Sequence, residues 1–150
     1  MPRKDKPRGK EIEEKAKKTK LNPSIVAHGN KHGKSLKFSG ADLSYLEKAE
    51  DLEEGEVIGV LENELAGDET GLPPGKYNLF LTNISGDWHL YAESNAEIIA
   101  EATKIKVNKF AAGESKRKEA GFSTEGWCLI SLCLLEKSDG SCIVEINACW

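Results

Sequence analysis

The residues best suited to chemistry are four cysteines near the C-terminus, Cys128, Cys133, Cys142 and Cys149. Their C-x4-C-x8-C-x6-C spacing lacks the close C-x2-C pairs of common zinc sites. A catalytic cysteine needs a lowered thiol pKa and a base within reach. These cysteines lie in apolar runs, and the nearest histidine in the sequence is His89. The pattern therefore favours a structural role.

Hairpin geometry predicts how the cysteines pair. Directly opposed residues of an antiparallel hairpin have numbers with a constant sum, which is 277 for Cys128 with Cys149 and 275 for Cys133 with Cys142. A two-residue adjustment, such as two bulges or a wider loop, would oppose both pairs, and the side-chain alternation agrees with this nesting. A strict two-residue Asp-Gly turn gives 279 and leaves both pairs diagonal. We predict two nested disulfides, with four buried free thiols or a metal site as alternatives.

Other candidate sites are weaker, and we assign no catalytic, metal-binding or cofactor-binding residue. The stretch Gly29-Asn-Lys-His-Gly-Lys-Ser35 approaches a phosphate-binding loop, but its spacing is one residue short and no helix pattern follows. We interpret it as a polar loop, and His28 and His32 as a solvated pair. The acidic residues between 51 and 69 do not match a calcium-binding loop.

Aromatic residues supply the candidate contact surface, which is formed by Trp88, Tyr91 and Trp150. Such side chains could stack on a sugar or contact a protein. The alternative is that Trp88 and Trp127 anchor the core. Trp150, at the chain end, is either tucked against the body or left as an apolar contact.

The elements that position these residues are mostly strands. From Glu56 onward apolar residues alternate in short runs separated by turns, and Ser138-Asp139-Gly140 separates the last two runs. Residues 96–107 form one longer β-capable run, and residues 40–50 are predicted to form a short helix. The pattern predicts a mainly β fold, an antiparallel β-sandwich or small barrel with one short helix.

The stretch Leu72-Pro-Pro-Gly-Lys-Tyr-Asn-Leu79 resembles the strand entry of prealbumin-like and other extracellular β-sandwich modules. Its prolines stiffen the approach, its glycine permits the turn, and its tyrosine begins an alternating inward face. The resemblance covers eight residues. It implies a sandwich fold and an exported origin.

Charge divides the chain unevenly. Residues 1–37 hold 12 Lys/Arg and 4 Asp/Glu, residues 38–103 hold 2 and 15, and residues 104–150 hold 7 and 6. We predict a basic flexible tail over residues 1–23, which could be disordered, and a single β-rich domain over residues 24–150 with its core at about 36–150. The tail could fold back on the acidic body or contact an anionic partner.

Composition limits the localisation. The longest apolar stretch, residues 127–135, is far shorter than the roughly 20 residues that cross a bilayer, so we expect no transmembrane segment and a small soluble domain. An acidic and basic stretch stands where the apolar core of a signal peptide would be. The protein would be exported or periplasmic if a signal peptide was removed and the disulfides form, and cytoplasmic otherwise.

The sequence thus favours a non-catalytic binding or interaction module of the cell envelope that contacts a protein or a carbohydrate. A small intracellular protein whose basic tail docks an anionic partner such as nucleic acid is the alternative. An uncharacterised enzyme comes third.

Overall fold

The computed structural model of the chain describes residues 2–123 and 127–150. Met1 of the predicted tail, and residues 124–126 at the predicted boundary of a loop and a strand, lie outside them. Two α-helices and a 3₁₀ helix accompany the strands in this part of the chain: α1 (Gly9–Lys18), β1 (Leu21–Lys31), β2 (Lys34–Ala41), the 3₁₀ helix (Ala49–Glu54), β3 (Glu56–Asn63), α2 (Gly67–Thr70), β4 (Gly75–Ile84), β5 (Asp87–Ser94), β6 (Glu97–Glu101), β7 (Lys104–Lys109), β8 (Gly121–Phe122), β9 (Leu129–Glu136) and β10 (Cys142–Cys149). The predicted mainly β class is confirmed.

The strands form two antiparallel sheets. The first sheet is a six-stranded meander in the order β1-β2-β3-β4-β5-β6, and the second has the order β7-β10-β9-β8. Inward side chains of both sheets form one apolar core, to which Phe38 and Leu79 contribute from the first sheet and Leu132 and Ile146 from the second. The two sheets therefore pack face to face, as the alternating pattern requires.

A two-residue turn joins β1 to β2 at the glycine-rich stretch. His32 and Gly33 both have positive φ, 54° and 77°, as a type I′ hairpin turn requires. Lys31 pairs with Lys34 across it. The polar loop expected here is thus a tight antiparallel hairpin, with no helix at its lysine.

The chain changes sheets within the run that the sequence treats as one strand. Residues 97–101 belong to β6 and residues 104–109 to β7, in different sheets. The N–H of Ala102 donates to Leu90 in the first sheet, whereas the N–H of Thr103 donates to Cys149 in the second, each at 2.8 Å. The half-buried apolar positions are even-numbered in β6 and odd-numbered in β7, so the alternation changes phase at this corner.

The helix predicted over residues 40–50 is wrong. Strand β2 continues to Ala41, and the following residues form a loop before the 3₁₀ helix at Ala49–Glu54. Asp42 accepts a hydrogen bond from the N–H of Ser44 at 3.1 Å, which favours a turn over a helix. Leu43, 2% exposed, still packs into the core.

The structure differs from the sequence prediction upstream of residue 24, where a flexible tail was expected. Residues 9–18 form α1, which packs on the outer face of the first sheet, and β1 already begins at Leu21. Ile12 is 0% exposed and contacts a cluster with Val57, Phe80 and Tyr91. Ile12 is therefore the fully buried side chain with which this Lys/Glu-rich helix packs on the sheet.

Candidate functional site

The four cysteines lie in the nested arrangement that hairpin geometry predicts. The sulfur atoms of Cys128 and Cys149 are 2.06 Å apart, and those of Cys133 and Cys142 are 2.17 Å apart. No described cysteine is free. Cys133 and Cys142 are buried, whereas Cys128 and Cys149 are partly exposed. This arrangement leaves no described thiol for catalysis.

Register shifts bring the first pair into opposition. The sums of paired residue numbers fall from 279 at Val144–Leu135 to 277 at Ala148–Leu129, and 277 is the sum for Cys128 and Cys149. Ser131 has a φ of 56°, and its N–H donates to the side-chain oxygen of Asn147 at 3.0 Å, so the irregular residue keeps a hydrogen bond. Cys133 and Cys142 stay diagonal, with 6.0 Å between their Cα atoms.

The three aromatic residues predicted as a contact surface do not lie together on the surface. Tyr91 is 2% exposed beneath the N-terminal segment, and burial raises its pKa to about 12. Trp88 is partly buried, with the Lys109 ammonium 5.4 Å from its ring centroid. Trp150 packs on the core edge next to Gly71. Of the three, Tyr91 is buried, and Trp88 and Trp150 are partly exposed.

Cations of the N-terminal segment cover the outer face of the first sheet. Arg3 lies 5.8 Å and Lys15 5.5 Å from the ring centroid of Phe80, and Lys6 lies 5.3 Å from that of Tyr91. Cations over aromatic faces are attracted by the ring quadrupole. Arg3 also donates two hydrogen bonds to the carboxylate of Glu11, at 2.7 and 2.9 Å. Part of the basic charge of this segment is therefore used within the fold.

The side chain best placed to contact a ligand is one that the sequence analysis missed, Tyr45. It is 64% exposed, more than any other described large apolar side chain, and it stands on the loop after β2. Its hydroxyl donates to a carboxylate oxygen of Glu56 at 2.6 Å, which fixes the ring. Burial of the hydroxyl and the Glu56 carboxylate raise the pKa of Tyr45 far above its usual range, so the phenol stays protonated. In the helix predicted over residues 40–50, Leu43 and Leu46 share one face at helical spacing, and that pattern points Tyr45 away from the core.

A cleft of about 500 Å³ lies beside this ring, between α1 and the loop after β2. We call it the Tyr45 cleft. From α1 and the two residues after it come three ammonium groups and a hydroxyl, those of Lys15, Lys18, Lys20 and Thr19. The loop after β2 supplies the carboxylate of Asp42, the hydroxyl of Ser44 and the ring of Tyr45, and β3 supplies the carboxylate of Glu56. The cleft thus combines an aromatic face with several hydrogen-bonding groups.

A second cleft of about 250 Å³ opens on the other side of the same loop, between the two sheets. Leu43 and Leu46 line it together with Leu134 and Ile143 of the C-terminal hairpin. Asp42 and Ser44 border both clefts. The loop is tied to the N-terminal segment, because the N–H of Asp42 donates to the carbonyl of Lys20 at 2.7 Å.

The remaining candidates form no reactive constellation in the part of the chain that the structure describes. Residues 2–123 and 127–150 contain no cluster of three or more His, Cys, Asp or Glu that could hold a metal ion. The basic β1–β2 hairpin faces acidic residues, and Lys31 pairs with Glu69 at 3.1 Å. His89 contacts Glu101 at 2.8 Å and stacks on Tyr91, 6.0 Å between centroids.

Comparisons with known proteins give no relative. No protein-family model, curated protein or solved structure matches this chain. Within the described residues, no helix has the length and apolar character needed to cross a bilayer. The two cysteine pairs at disulfide distance are compatible with an oxidising, exported location.

Proposed function

We propose that this protein is a non-catalytic binding module that takes a carbohydrate in the Tyr45 cleft. The observation that carries the proposal is the exposed ring of Tyr45, held by its 2.6 Å hydrogen bond to Glu56 over a cleft lined by hydroxyl, carboxylate and ammonium groups. A fixed aromatic face stacks on the C–H face of a sugar ring without losing side-chain entropy on binding. The polar groups around it match the hydroxyls of a sugar.

The size of the cleft supports a small ligand. Sites for small molecules are typically clefts of roughly 300–1,000 Å³, and the Tyr45 cleft has about 500 Å³. An oligosaccharide of a few residues would place one ring against Tyr45 and leave the others in solvent. We therefore expect weak, reversible binding.

The distribution of apolar residues favours a carbohydrate over a protein partner. A stable protein interface buries about 800 Å² per partner around an apolar centre. The exposed large apolar side chains of the described residues are scattered over different elements, namely Leu21, Tyr45, Ile99 and Ile130. A single aromatic ring among polar groups suits a sugar better than such an interface.

A place in the cell envelope is part of the proposal. Disulfides persist in oxidising compartments, where extracellular and envelope glycans are also found. The cysteine pairs at disulfide distance support this placement. A count of free thiols in denatured, unreduced protein isolated from its own cells tests it, and four reactive thiols would refute it.

The binding test is a titration of ¹⁵N-labelled protein with a panel of neutral and acidic oligosaccharides. We expect shifts confined to the amides of residues 42–47 and of the last turn of α1. Tyr45→Ala should weaken binding at least tenfold, because the stacking face is lost. Tyr45→Phe should keep most of the affinity, because the ring remains.

Ile130→Ala is the matched control, since it removes an exposed apolar side chain on β9. It should leave the affinity unchanged. The proposal fails if no saccharide shifts these amides, or if Tyr45→Ala and Ile130→Ala have equal effects. Binding of a folded protein at this cleft with no saccharide binding would assign the module to protein contact instead.

A second candidate function is binding of an anionic polymer such as single-stranded nucleic acid. Lys18 and Lys20 lie beside Tyr45 in the same cleft, which joins basic side chains to an aromatic ring. Bases stack on aromatic rings while lysines neutralise phosphates. Binding of an oligothymidylate with a strong dependence on salt, and no saccharide binding, would favour this candidate.

A further inference from the structure

The charges of the Tyr45 cleft are not equally available to a ligand. Three lysines and two carboxylates line it: Lys15, Lys18, Lys20, Asp42 and Glu56. Both carboxylates are engaged within the cleft. Glu56 accepts the hydroxyl of Tyr45 at 2.6 Å, and Asp42 accepts the N–H of Ser44 at 3.1 Å.

Two of the three ammonium groups are not engaged in this way. Lys15 donates to the carbonyl of Gly55 at 2.9 Å and covers the Phe80 ring. Lys18 and Lys20 make no hydrogen bond or ion pair with the described residues. The pKa of Asp42 is lowered mainly by its hydrogen bonds from Ser44, and to a smaller extent by the charge of Lys20. The lining of the cleft therefore holds three positive and two negative charges, and Lys18 and Lys20 are its cations without a hydrogen-bonded partner among the described residues.

The end of α1 does not cancel this charge. Free carbonyl groups at a helix C-terminus repel anions. Here the N–H of Thr19 donates to the carbonyl of Ala16 at 3.2 Å, and the hydroxyl of Thr19 donates to the carbonyl of Lys15 at 2.7 Å. Two of the four terminal carbonyls are thus already satisfied at the cleft.

We infer that the Tyr45 cleft selects an acidic saccharide, whose carboxylate or sulfate group is bound by Lys18 and Lys20 while a sugar ring lies against Tyr45. This inference rests on the proposed function and names its ligand class. The ring supplies the stacking contact, which any pyranose could use. The two lysines supply the discrimination, because only an acidic sugar adds a Coulombic attraction to their ammonium groups.

The test compares matched ligands on the full chain. Uronic acid trisaccharides are titrated beside their uncharged methyl esters, which keep the same ring skeleton, and sulfated disaccharides beside their unsulfated forms. We expect the acidic member of a binding pair to bind about tenfold more tightly at low salt, and this preference to shrink as salt screens the exposed charges. A preference for uronate over sulfate, or the reverse, identifies the anionic group.

The matched variants are Lys18→Gln/Lys20→Gln and Lys10→Gln/Lys34→Gln, which remove the same charge inside and outside the cleft. Only the first should abolish the preference for the acidic member. Equal binding of acid and ester, lost on Tyr45→Ala, would overturn the inference and leave the proposed function standing. No saccharide binding at all would overturn both, and tighter binding of oligothymidylate than of any acidic saccharide would assign the lysines to phosphate instead.

Discussion

Side chains of a few residues decide both the stability of the C-terminal hairpin and the geometry of the Tyr45 cleft. The cysteine pairs join β9 to β10 at both ends, so they brace the wall of the second sheet that carries Leu134 and Ile143. Tyr45 gains its fixed position from Glu56 on β3. At this scale the structure makes predictions that need no assumption about the ligand.

The first prediction at the residue scale concerns the cysteine pairs. Their sequence separations are 21 for Cys128–Cys149 and 9 for Cys133–Cys142. Chain-entropy arguments give about 2.5–3.5 kcal/mol for loops of this size, with the longer loop at the upper end. We expect Cys128→Ala/Cys149→Ala and Cys133→Ala/Cys142→Ala each to lower the free energy of unfolding by that amount in urea titrations. Stability unchanged by either double variant in unreduced protein would contradict covalent pairing there.

The second prediction at this scale concerns Gly59, which lies opposite Gly40 on β2. A Cβ atom on Gly59 would stand 2.3 Å from the carbonyl oxygen of Ser39 and 2.5 Å from the ring of Phe38, and its φ of 156° disfavours a side chain. Gly59→Ala should cost more than about 2 kcal/mol of unfolding free energy. Gly121→Ala, with no heavy atom within 4 Å, is the control and should cost under about 0.5 kcal/mol. Equal losses would refute the steric explanation.

At the scale of elements, α1 has the most unusual position, since it covers the outer face of a sheet whose inner face forms the core. Its inner side presents Ile12 and Ala16, four residues apart, to the cluster of Val57, Phe80 and Tyr91. Its last turn supplies Lys15 and Lys18 to the Tyr45 cleft. The element therefore shields the sheet and forms one wall of the candidate site.

Ile12 should control the docking of this helix. Ile12→Ala removes the one fully buried side chain of α1 and should cost about 2–4 kcal/mol of docking free energy. Amide hydrogen exchange should then rise in residues 9–18 and remain slow in β9 and β10. Glu14→Ala changes an exposed position of the same helix and should leave exchange unaltered. If both variants exchange alike, Ile12 does not anchor the helix.

The Arg3–Glu11 pair predicts a dependence of docking on pH. The hydrogen bonds from Arg3 are the main cause of a lowered pKa for Glu11, whose ordinary value is 4.5. A carboxyl with a lowered folded pKa stabilises the fold above its unfolded pKa, and this contribution disappears as the pH falls through the folded pKa. The docking free energy derived from the protection factors of the α1 amides should therefore fall as the pH falls below about 4.5, by under about 1 kcal/mol because the pair is partly exposed. Glu11→Gln should remove this acid response, whereas Glu14→Gln should keep it.

At the scale of the whole molecule, local patterns predicted the sheets better than they predicted the packing between distant segments. The alternation of β4 and β5 and the parity of the four cysteines are properties of neighbouring residues, and the structure agrees with them. The docking of α1 depends on Ile12 meeting side chains from β3, β4 and β5, which no local pattern reveals. The Tyr45 cleft likewise forms only when α1 is docked beside the loop after β2.

That dependence couples the proposed ligand to the fold. Because Lys15, Lys18 and Thr19 reach the cleft from α1, a ligand that contacts them binds only the docked state. Ligand at 100 times its dissociation constant then stabilises that state by about 2.7 kcal/mol. Addition of an acidic saccharide should raise the opening free energy that hydrogen exchange reports for residues 9–18 by this amount. The opening free energy of core amides that exchange through global unfolding should rise by no more than the same amount.

The coupling is reciprocal, which gives the decisive measurement. Ile12 does not line the Tyr45 cleft, yet Ile12→Ala lowers the docked population and should weaken ligand binding by the factor by which the docked fraction falls. The titration and the exchange experiment, carried out on one variant under one set of conditions, yield the two factors independently. Full affinity in a variant whose α1 is largely undocked would place the ligand elsewhere on the molecule and remove α1 from the site.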